Sequence, residues 1–481
     1  MSSFLRGAEP GESGFGQQVA DEIFSSSEAW ENMQVLADDI GSRLAGSPGE
    51  RAARDFLVDT LRRYGLDSVE IESFPHWGWS CQREELRIVA PVERDMVCRC
   101  AGLSPAADGL EAEVVFLARC DADEVRQRSD EIRGRMVIAP YHPVPRQVKM
   151  PLVAAAGAVA LLESRSMAGG LQPARTCAFN REGNIPTASI SREDGAYLRR
   201  LEERKGTVRL SLTLDSTVAE RTSWNVVGTL RGRGTTGEYV ALGGHYDSWH
   251  VGPGAVDNGT GVVAVLEAAR GLSRYKDQLQ RDVRFIFFGV EELGLVGSWA
   301  YAHWHAAELD QAVAMINNDV GGRPVRLISA GYDGVRPLLE GVAEEARVEG
   351  IEGPLEVVLG NPGWASDHFP FWAHGVPTVA IGCELVDPDA GRYVHTRADT
   401  IDKVYATGLT ECAAINAQLV CAFANAEARP APRKSRAEVE ALLDEFAWRS
   451  TLETLGSWPP ERLMQRYFGS ESTQERTLRD V

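Results

Sequence analysis

Residues 243–261 read GGHYDSWHVGPGAVDNGTG. The four residues before them, Tyr239-Val240-Ala241-Leu242, form a short apolar run with the character of a buried strand. Residues 260–270 (TGVVAVLEAAR) have the length and apolar pattern of a helix. A histidine and two aspartates therefore lie on the loop between a strand and a helix. His245 and Asp247 are two apart, so on extended backbone their side chains point the same way. An imidazole that presents one nitrogen to a metal needs the other one held, and a nearby carboxylate commonly does this. Asp257 lies in a glycine-rich turn that lets the chain fold back towards His245.

Working outward, strand-like runs recur at 283–288, 312–316, 326–329 and 378–381, and helical patterns at 296–308, 335–348 and 404–427. This alternation predicts an α/β fold: a mostly parallel central sheet with helices on both faces. Open sheets of this kind place their sites at the C-terminal ends of the strands. There, run 283–288 leads into Glu291-Glu292, run 312–316 into Asn317-Asn318-Asp319, and the segment after 378–381 ends in Tyr393-Val394-His395. His245, Asp257, Glu292, Asp319 and His395 are thus candidate metal ligands. Imidazoles mixed with carboxylates suit zinc better than calcium or magnesium. Five donors exceed one tetrahedral ion but serve two if a carboxylate bridges, with ions about 3.5–4 Å apart. Glu291 is then a spare carboxylate beside the ligands, able to act as general base towards a metal-activated water.

The N-terminal part starts with helical spacing over 17–40, then the loop GSRLAGSPGE (41–50). An amphipathic helix over 51–64 follows, stopped by Gly65, and then a strand at 69–72. From about residue 84 the texture changes to short β-type runs at 86–89, 113–117 and 136–138. A small-residue run, 153–163 (VAAAGAVALLE), reads as a helix, and 185–201 reads as strand, turn, helix. The predicted organisation is an N-terminal part of the catalytic domain (1–83), an inserted β-rich module (84–223), the main catalytic domain (224–429) and a charged helical extension (430–481). The formal G-x-G-x-x-G at 232–237 leads into a strand and not a helix, so it reads as a β-turn and not a nucleotide cradle.

A chain of 481 residues exceeds what one hydrophobic core usually holds, consistent with two domains. The net charge of −19 argues against nucleic acid or an anionic membrane surface as partner. No stretch has the length of a signal-peptide core or a membrane span. The eight cysteines are scattered without a C-x-x-C, which predicts reduced thiols and a cytoplasmic protein. The extension is expected to pack on its own catalytic domain or on a second subunit, which leaves a homodimer open.

Five ordered segments, GGHYDS…GAVDNGTG, GVEELGLVGS, NNDVGG, SDHFPF and HTRADT, resemble the co-catalytic two-zinc aminopeptidase and glutamate-carboxypeptidase family of metallopeptidases. The wording is nearest its carboxypeptidase Q branch. The resemblance implies a zinc-peptidase fold of the phosphorylase/hydrolase-like kind and two zinc ions per chain. Asp257 would bridge, His245 and Asp319 would complete one site, and Glu292 and His395 the other. It further implies Glu291 as general base, Asp247 orienting His245, and a cis peptide after Asp257. The segments IRGRMVIAP, AAAGAVALLE and IPTASIS resemble the protease-associated domain that some members carry. The expected function is an exopeptidase, an aminopeptidase or dipeptidase, acting on a peptide. The alternatives are a single-zinc acyl transferase like the glutaminyl cyclases and a catalytically silent peptide-binding protein.

Two departures accompany the resemblance. Where many members place an oxyanion-binding tyrosine, this chain has Ala365 and Val394, with Tyr393 and Ser366 as the neighbouring substitutes. No arginine is assignable to a substrate carboxylate. Among the remaining histidines, His250 is a candidate for lining the pocket, and His76 with Trp77 and Trp79 for the junction to the insert. His303 and His305 read as packing or surface residues, His368 as a hydrogen-bonding or substrate-contacting residue, and His142 as a surface residue.

Overall fold

The computed structural model describes residues 14–319, 322–361, 363–384 and 390–469. Helix α1 (Phe15–Ser26) begins the described chain. The predicted 17–40 helix is broken after it, continuing as Ala29–Gln34 and a π-helical turn at Val35–Ile40. Helix α2 (Pro48–Arg63) starts where Ser47 accepts the Glu50 amide and proline takes the first position. It buries Ala53, Leu57, Val58 and Leu61, as its amphipathic pattern requires.

Strand β1 (Ser68–Ala90) is far longer than the run at 69–72 suggests. It reaches residue 90, where the chain enters the inserted module. That module contains strands β2 (Ala107–Phe116), β3 (Met136–Pro140), β4 (Ala160–Ser164) and β5 (Thr187–Ile190), which are parallel neighbours. Helices α3 (Arg146–Ala155) and α4 (Arg192–Lys205) connect and cover them. The module is thus α/β rather than simply β-rich. The predicted helix at 153–163 divides: α3 ends at Ala155, Gly157 turns with φ +89°, and Ala160–Ser164 becomes β4. A continuous run of small apolar residues is as compatible with a fully buried parallel strand as with a helix.

Strand β6 (Arg209–Leu230) returns antiparallel to β1, paired from Ala90↔Arg209 to Ser68↔Thr229. At about 3.3 Å per residue this ribbon spans about 75 Å. Its far end joins the insert through β2, and its near end joins the catalytic sheet. Residues 83/84 and 223/224, the predicted boundaries, fall inside these two continuous strands.

The catalytic sheet continues with β7 (Tyr239–His245), β8 (Asp282–Phe288), β9 (Ala312–Asn317), β10 (Arg323–Ser329), β11 (Glu356–Leu359) and β12 (Thr378–Glu384). Its order is β11-β10-β12-β9-β7-β8-β6-β1. Strands β12, β9, β7 and β8 are parallel, while β10 and β6 flank them antiparallel. Side chains alternate across it. Val240, Leu242, Phe285 and Phe287 join the core shared with helices α5 (Thr260–Ser273) and, later, α7 (Ala406–Asn425). Tyr239, Ala241, Ile286 and Phe288 face Tyr301 of helix α6 (Val296–Trp304) and Phe371 on the other side. Helices on both faces make the α/β reading correct.

After residue 430 come α8 (Arg436–Glu445), α9 (Arg449–Leu455) and α10 (Pro460–Phe468). A Ser435/Glu438 capping box starts α8. The extension packs on its own chain. Trp448 meets Trp372 at 5.2 Å between ring centroids, and the Tyr467 hydroxyl donates to the Gly294 carbonyl at 3.0 Å.

Candidate metal centre and substrate cavity

All five predicted ligands converge at the C-terminal ends of the parallel strands. His245 is the last residue of β7, Asp257 lies in the turn before α5, and Glu292 follows β8. Asp319 follows β9, and His395 is on the loop after β12. His245 Nε2 lies 3.3 Å from Asp257 Oδ1 and 3.7 Å from Asp319 Oδ1. His395 Nε2 lies 2.8 Å from Asp257 Oδ2 and 3.3 Å from Glu292 Oε2. Within each of the two trios, ligand atoms fall within 4.8 Å of one another, and Asp257 belongs to both with different oxygens. The peptide after Asp257 is cis, as the resemblance implies.

The backbone makes this approach possible through glycine. A Cβ on Gly244 would stand 2.2 Å from the Asn318 carbonyl oxygen, so the end of β7 tolerates no side chain there. Gly254 adopts φ +60°, turning the chain so that Asp257 swings back over His245.

Asp247, wholly buried, has partners beyond the one histidine. Its backbone carbonyl is 3.2 Å and its carboxylate 3.5 Å from His245 Nδ1. The same carboxylate accepts the amides of Glu291 at 3.0 Å and Glu292 at 3.4 Å, so it ties β7 to the turn that carries both glutamates. Asp399, from the HTRADT segment, accepts the amides of Val256 at 2.7 Å and Asp257 at 3.2 Å. Trp249 Nε1 donates to Glu292 Oε2 at 2.6 Å.

Arg43 was not singled out in the sequence, where GSRLAGSPGE reads only as a loop. It is fully buried and donates to the carbonyls of Tyr246, Gly254, Gly41 and Pro253. Burial lowers its pKa to about 10, against the raising effect of Asp399 and Asp247, so it stays charged at neutral pH. A lone cation in a small-residue loop was the available signal. Its partners are backbone atoms, which leave no trace in a sequence.

Electrostatically the site is short of positive charge. Burial, reinforced by Asp257 and Glu291, pushes Glu292 well above the usual carboxylate range. Burial likewise raises Glu291 well above it, with Asp319 and Asp367 adding to the shift and His245 opposing it. Burial raises Asp367 to about 7. For Asp257 burial works in the same direction, but His395 and His245 on its two oxygens hold it below the normal value. Burial disfavours the cationic form of His245, yet Glu291 and the carboxylates of Asp247, Asp257 and Asp319 raise it well above its usual pKa. Carboxylates this close cannot all ionise without added positive charge. Glu292 Oε1 is buried without a hydrogen-bond partner. The donor chemistry, the two trios and this orphaned oxygen fit a pair of divalent cations.

A cavity of about 430 Å³ opens on the candidate ligands. Glu291, Trp299 and Ala365 line it from the catalytic domain, Tyr141 and Arg175 from the insert, and Leu452 and Ser457 from the extension. His142 also lines it, so the expectation of a merely superficial residue was incomplete. The other histidines stay outside. His250 packs 5.0 Å from Trp79 between ring centroids, and His368 Nε2 meets the Gly363 carbonyl at 3.0 Å. His305 pairs with Glu72 at 2.7 Å, and His303 stacks on Phe468. Of the two proposed substitutes for the missing tyrosine, Tyr393 lies under Lys403 and the Ser366 hydroxyl accepts from Asn317 at 2.8 Å. Neither lines the cavity.

Residues 225–420 match the model of Peptidase family M28. Carboxypeptidase Q of Mus musculus is 29% identical over 398 residues, 78% of this chain and 80% of that protein. A solved Peptidase M28 precursor from Shewanella amazonensis SB2B is similar with a TM-score of 0.77 at 25% identity, covering 87% of this chain and 98% of that one. BSAP, a zinc aminopeptidase from Bacillus subtilis, has a TM-score of 0.66 at 25% identity, covering 84% and 97%. The family model falls on the segment that carries every candidate ligand, and relatives match well beyond it, so the chain is similar to Peptidase family M28 there and to its members over most of its length.

Proposed function

We propose that the chain is a two-zinc exopeptidase, an aminopeptidase or dipeptidase, with Glu291 as general base. The observation that carries this reading is the pair of donor trios sharing Asp257, with the Glu291 carboxylate beside them on the cavity wall. The zinc named for the Bacillus subtilis aminopeptidase supports the choice of metal. His245, Asp257 and Asp319 would hold one ion, and Asp257, Glu292 and His395 the other. Bound there, zinc supplies Lewis acidity towards water and the scissile carbonyl.

The chain's own residues do the rest. Glu291 takes a proton from the attacking water as its oxygen bonds to the carbonyl carbon, then delivers that proton to the amine as the C–N bond breaks. Asp247 grips the Glu291 and Glu292 amides, which keeps base and ligand in one geometry. We read the inserted module as a protease-associated domain that supplies one wall of the cavity.

The test is zinc per chain by elemental analysis, together with hydrolysis of a dipeptide and aminoacyl-anilide panel by the wild type and Glu291→Ala. Near two zincs in both proteins, with turnover lost in the variant, is the expected result. One zinc would favour the cyclase-like acyl transferase. Two zincs with no turnover would favour a binding protein.

A further inference from the structure

The carboxyl ends of the insert's parallel strands border a second cavity. Phe116, Pro140 and Ser164 are the last residues of β2, β3 and β4, which are neighbours in the sheet. All three line a cavity of about 380 Å³. Open parallel sheets bind ligands in the crevice beyond their strand ends, and this volume falls within the range of small-molecule sites.

Helix α4 forms the facing wall. Arg192, Gly195, Ala196 and Arg199 all line the cavity, and steps of three and four residues put them on one face of the helix. A Cβ on Gly195 would stand 2.2 Å from the Ser164 hydroxyl oxygen, so glycine lets α4 sit this close to the end of β4. The two small residues leave open space between two arginines.

The charge around that space is one-sided. Arg165, only 8% exposed, joins Arg192 and Arg199 in the lining, and no Asp or Glu lines the cavity. None of the three pairs with a carboxylate among the described residues, whereas Arg99, Arg119, Arg128 and Arg146 of the insert each meet one within 2.7 Å. One nitrogen of Arg165 donates to the Arg392 carbonyl and to Met167 Sδ at 3.8 Å, which anchors the group. The Arg199 guanidinium carbon stacks 4.6 Å over the Phe116 ring. Stacking leaves the donors on the guanidinium edge free to grip an anion. Leu117, Ile138 and Pro140 make the rest of the floor apolar.

We propose that this cavity is a binding site for a small organic phosphate monoester with an apolar body, held by Arg165, Arg192 and Arg199. Three guanidinium groups suit a dianion with several acceptor oxygens, and the apolar floor suits the body that carries it. The same charges repel an ammonium group, so free amino acids and peptide N-termini are poor occupants. The site is therefore separate from peptide cleavage and independent of the hydrolase reading. Tyr141 and His142 line both this cavity and the one over the candidate metal ligands, so the bound phosphate ester would sit behind a wall the two share.

The first measurement is calorimetric binding of phenyl phosphate, inorganic phosphate and benzoate to the full-length zinc-treated protein, repeated after chelation. Phenyl phosphate should bind at one site per chain, at least about tenfold tighter than inorganic phosphate because its ring is buried. It should also bind more tightly than benzoate, and equally well after chelation. Arg192→Met and Arg199→Met, both on an exposed helix face, should each weaken it about tenfold or more, while Arg200→Met, exposed on the same helix but outside the lining, stays within about twofold. Unchanged melting temperatures exclude misfolding. No saturable binding at millimolar concentration, binding only when zinc is present, inorganic phosphate or benzoate binding as tightly, or an equal loss in Arg200→Met would overturn the proposal.

The second measurement is hydrogen exchange with and without phenyl phosphate. Slower exchange over 138–146 and 164–168 is expected. Protection confined to 245–261 would place the ligand at the candidate metal centre and overturn the assignment.

Discussion

Replacing Arg43 by methionine tests the architecture behind the site without depending on any view of the reaction. The guanidinium donates to the carbonyls of Tyr246 at 2.8 Å, Gly254 at 2.9 Å and Gly41 at 3.0 Å, and also to that of Pro253. Methionine retains the bulk and the apolar stem but offers no donor. Each buried carbonyl left without a partner costs about 1–3 kcal/mol. Relaxation of the loop recovers part of that sum, and removing a buried cation relieves some desolvation. A net loss of about 3–5 kcal/mol follows, the range for breaking a buried charged network. Urea unfolding of the metal-free wild type and Arg43→Met measures it, and hydrogen exchange across 246–257 locates it. Arg43→Lys should fall between, because an ammonium cannot reach acceptors spread as a fork reaches them. A loss below about 1 kcal/mol, or exchange unchanged in that loop, would refute the idea that Arg43 holds it in place.

Asp247→Asn replaces an acceptor of two amides with a group that is half donor, and should weaken zinc binding about 10- to 100-fold. Chelator competition measures this, and unchanged affinity with lost turnover would move Asp247 from positioning into the chemistry. His305 has a pKa raised above 6.5 by Glu72 and Glu308, against the effect of burial. Its stabilising contribution is therefore complete below about pH 6.5 and lost as pH rises through the raised value. Melting temperature from pH 5.5 to 9 should fall less steeply in His305→Gln than in wild type. Tyr467→Phe removes the donor to the Gly294 carbonyl beside the Glu291-Glu292 turn and should cost about 1–3 kcal/mol by urea unfolding. Leu452→Trp should cut kcat/KM for bulky dipeptides more than for L-alanyl-L-alanine, because Leu452 lines the cavity.

Much of the site was legible because its chemistry sits at strand ends and periodicity reveals strands. The buried run before His245 and the turns after 283–288 and 312–316 are enough to put four of the five ligands on one edge of a parallel sheet. The sheet itself followed from alternation. The run 153–163 misled, because small apolar residues fill a buried strand as well as a helix. The ribbon of β1 and β6 escaped notice because its middle, from Phe74 to Ser80 opposite Ser223 to Thr217, carries mixed polarity and no clean alternation.

What the sequence by itself determined is the set of candidate side chains and the scaffold that presents it: His245, Glu291, Glu292 and Asp319 at or just after strand ends, with Asp257 and His395 on the loops that follow. Only the tertiary structure decided which groups surround that set. Arg43 acts through backbone carbonyls, Arg175 reaches the cavity from the insert, and Leu452 and Ser457 come from the far end of the chain. Local patterns report which face of an element is buried, because burial depends on side-chain type and spacing. They carry no record of which distant residue meets that face, since such a meeting is set by the packing of whole elements and costs the sequence no periodicity.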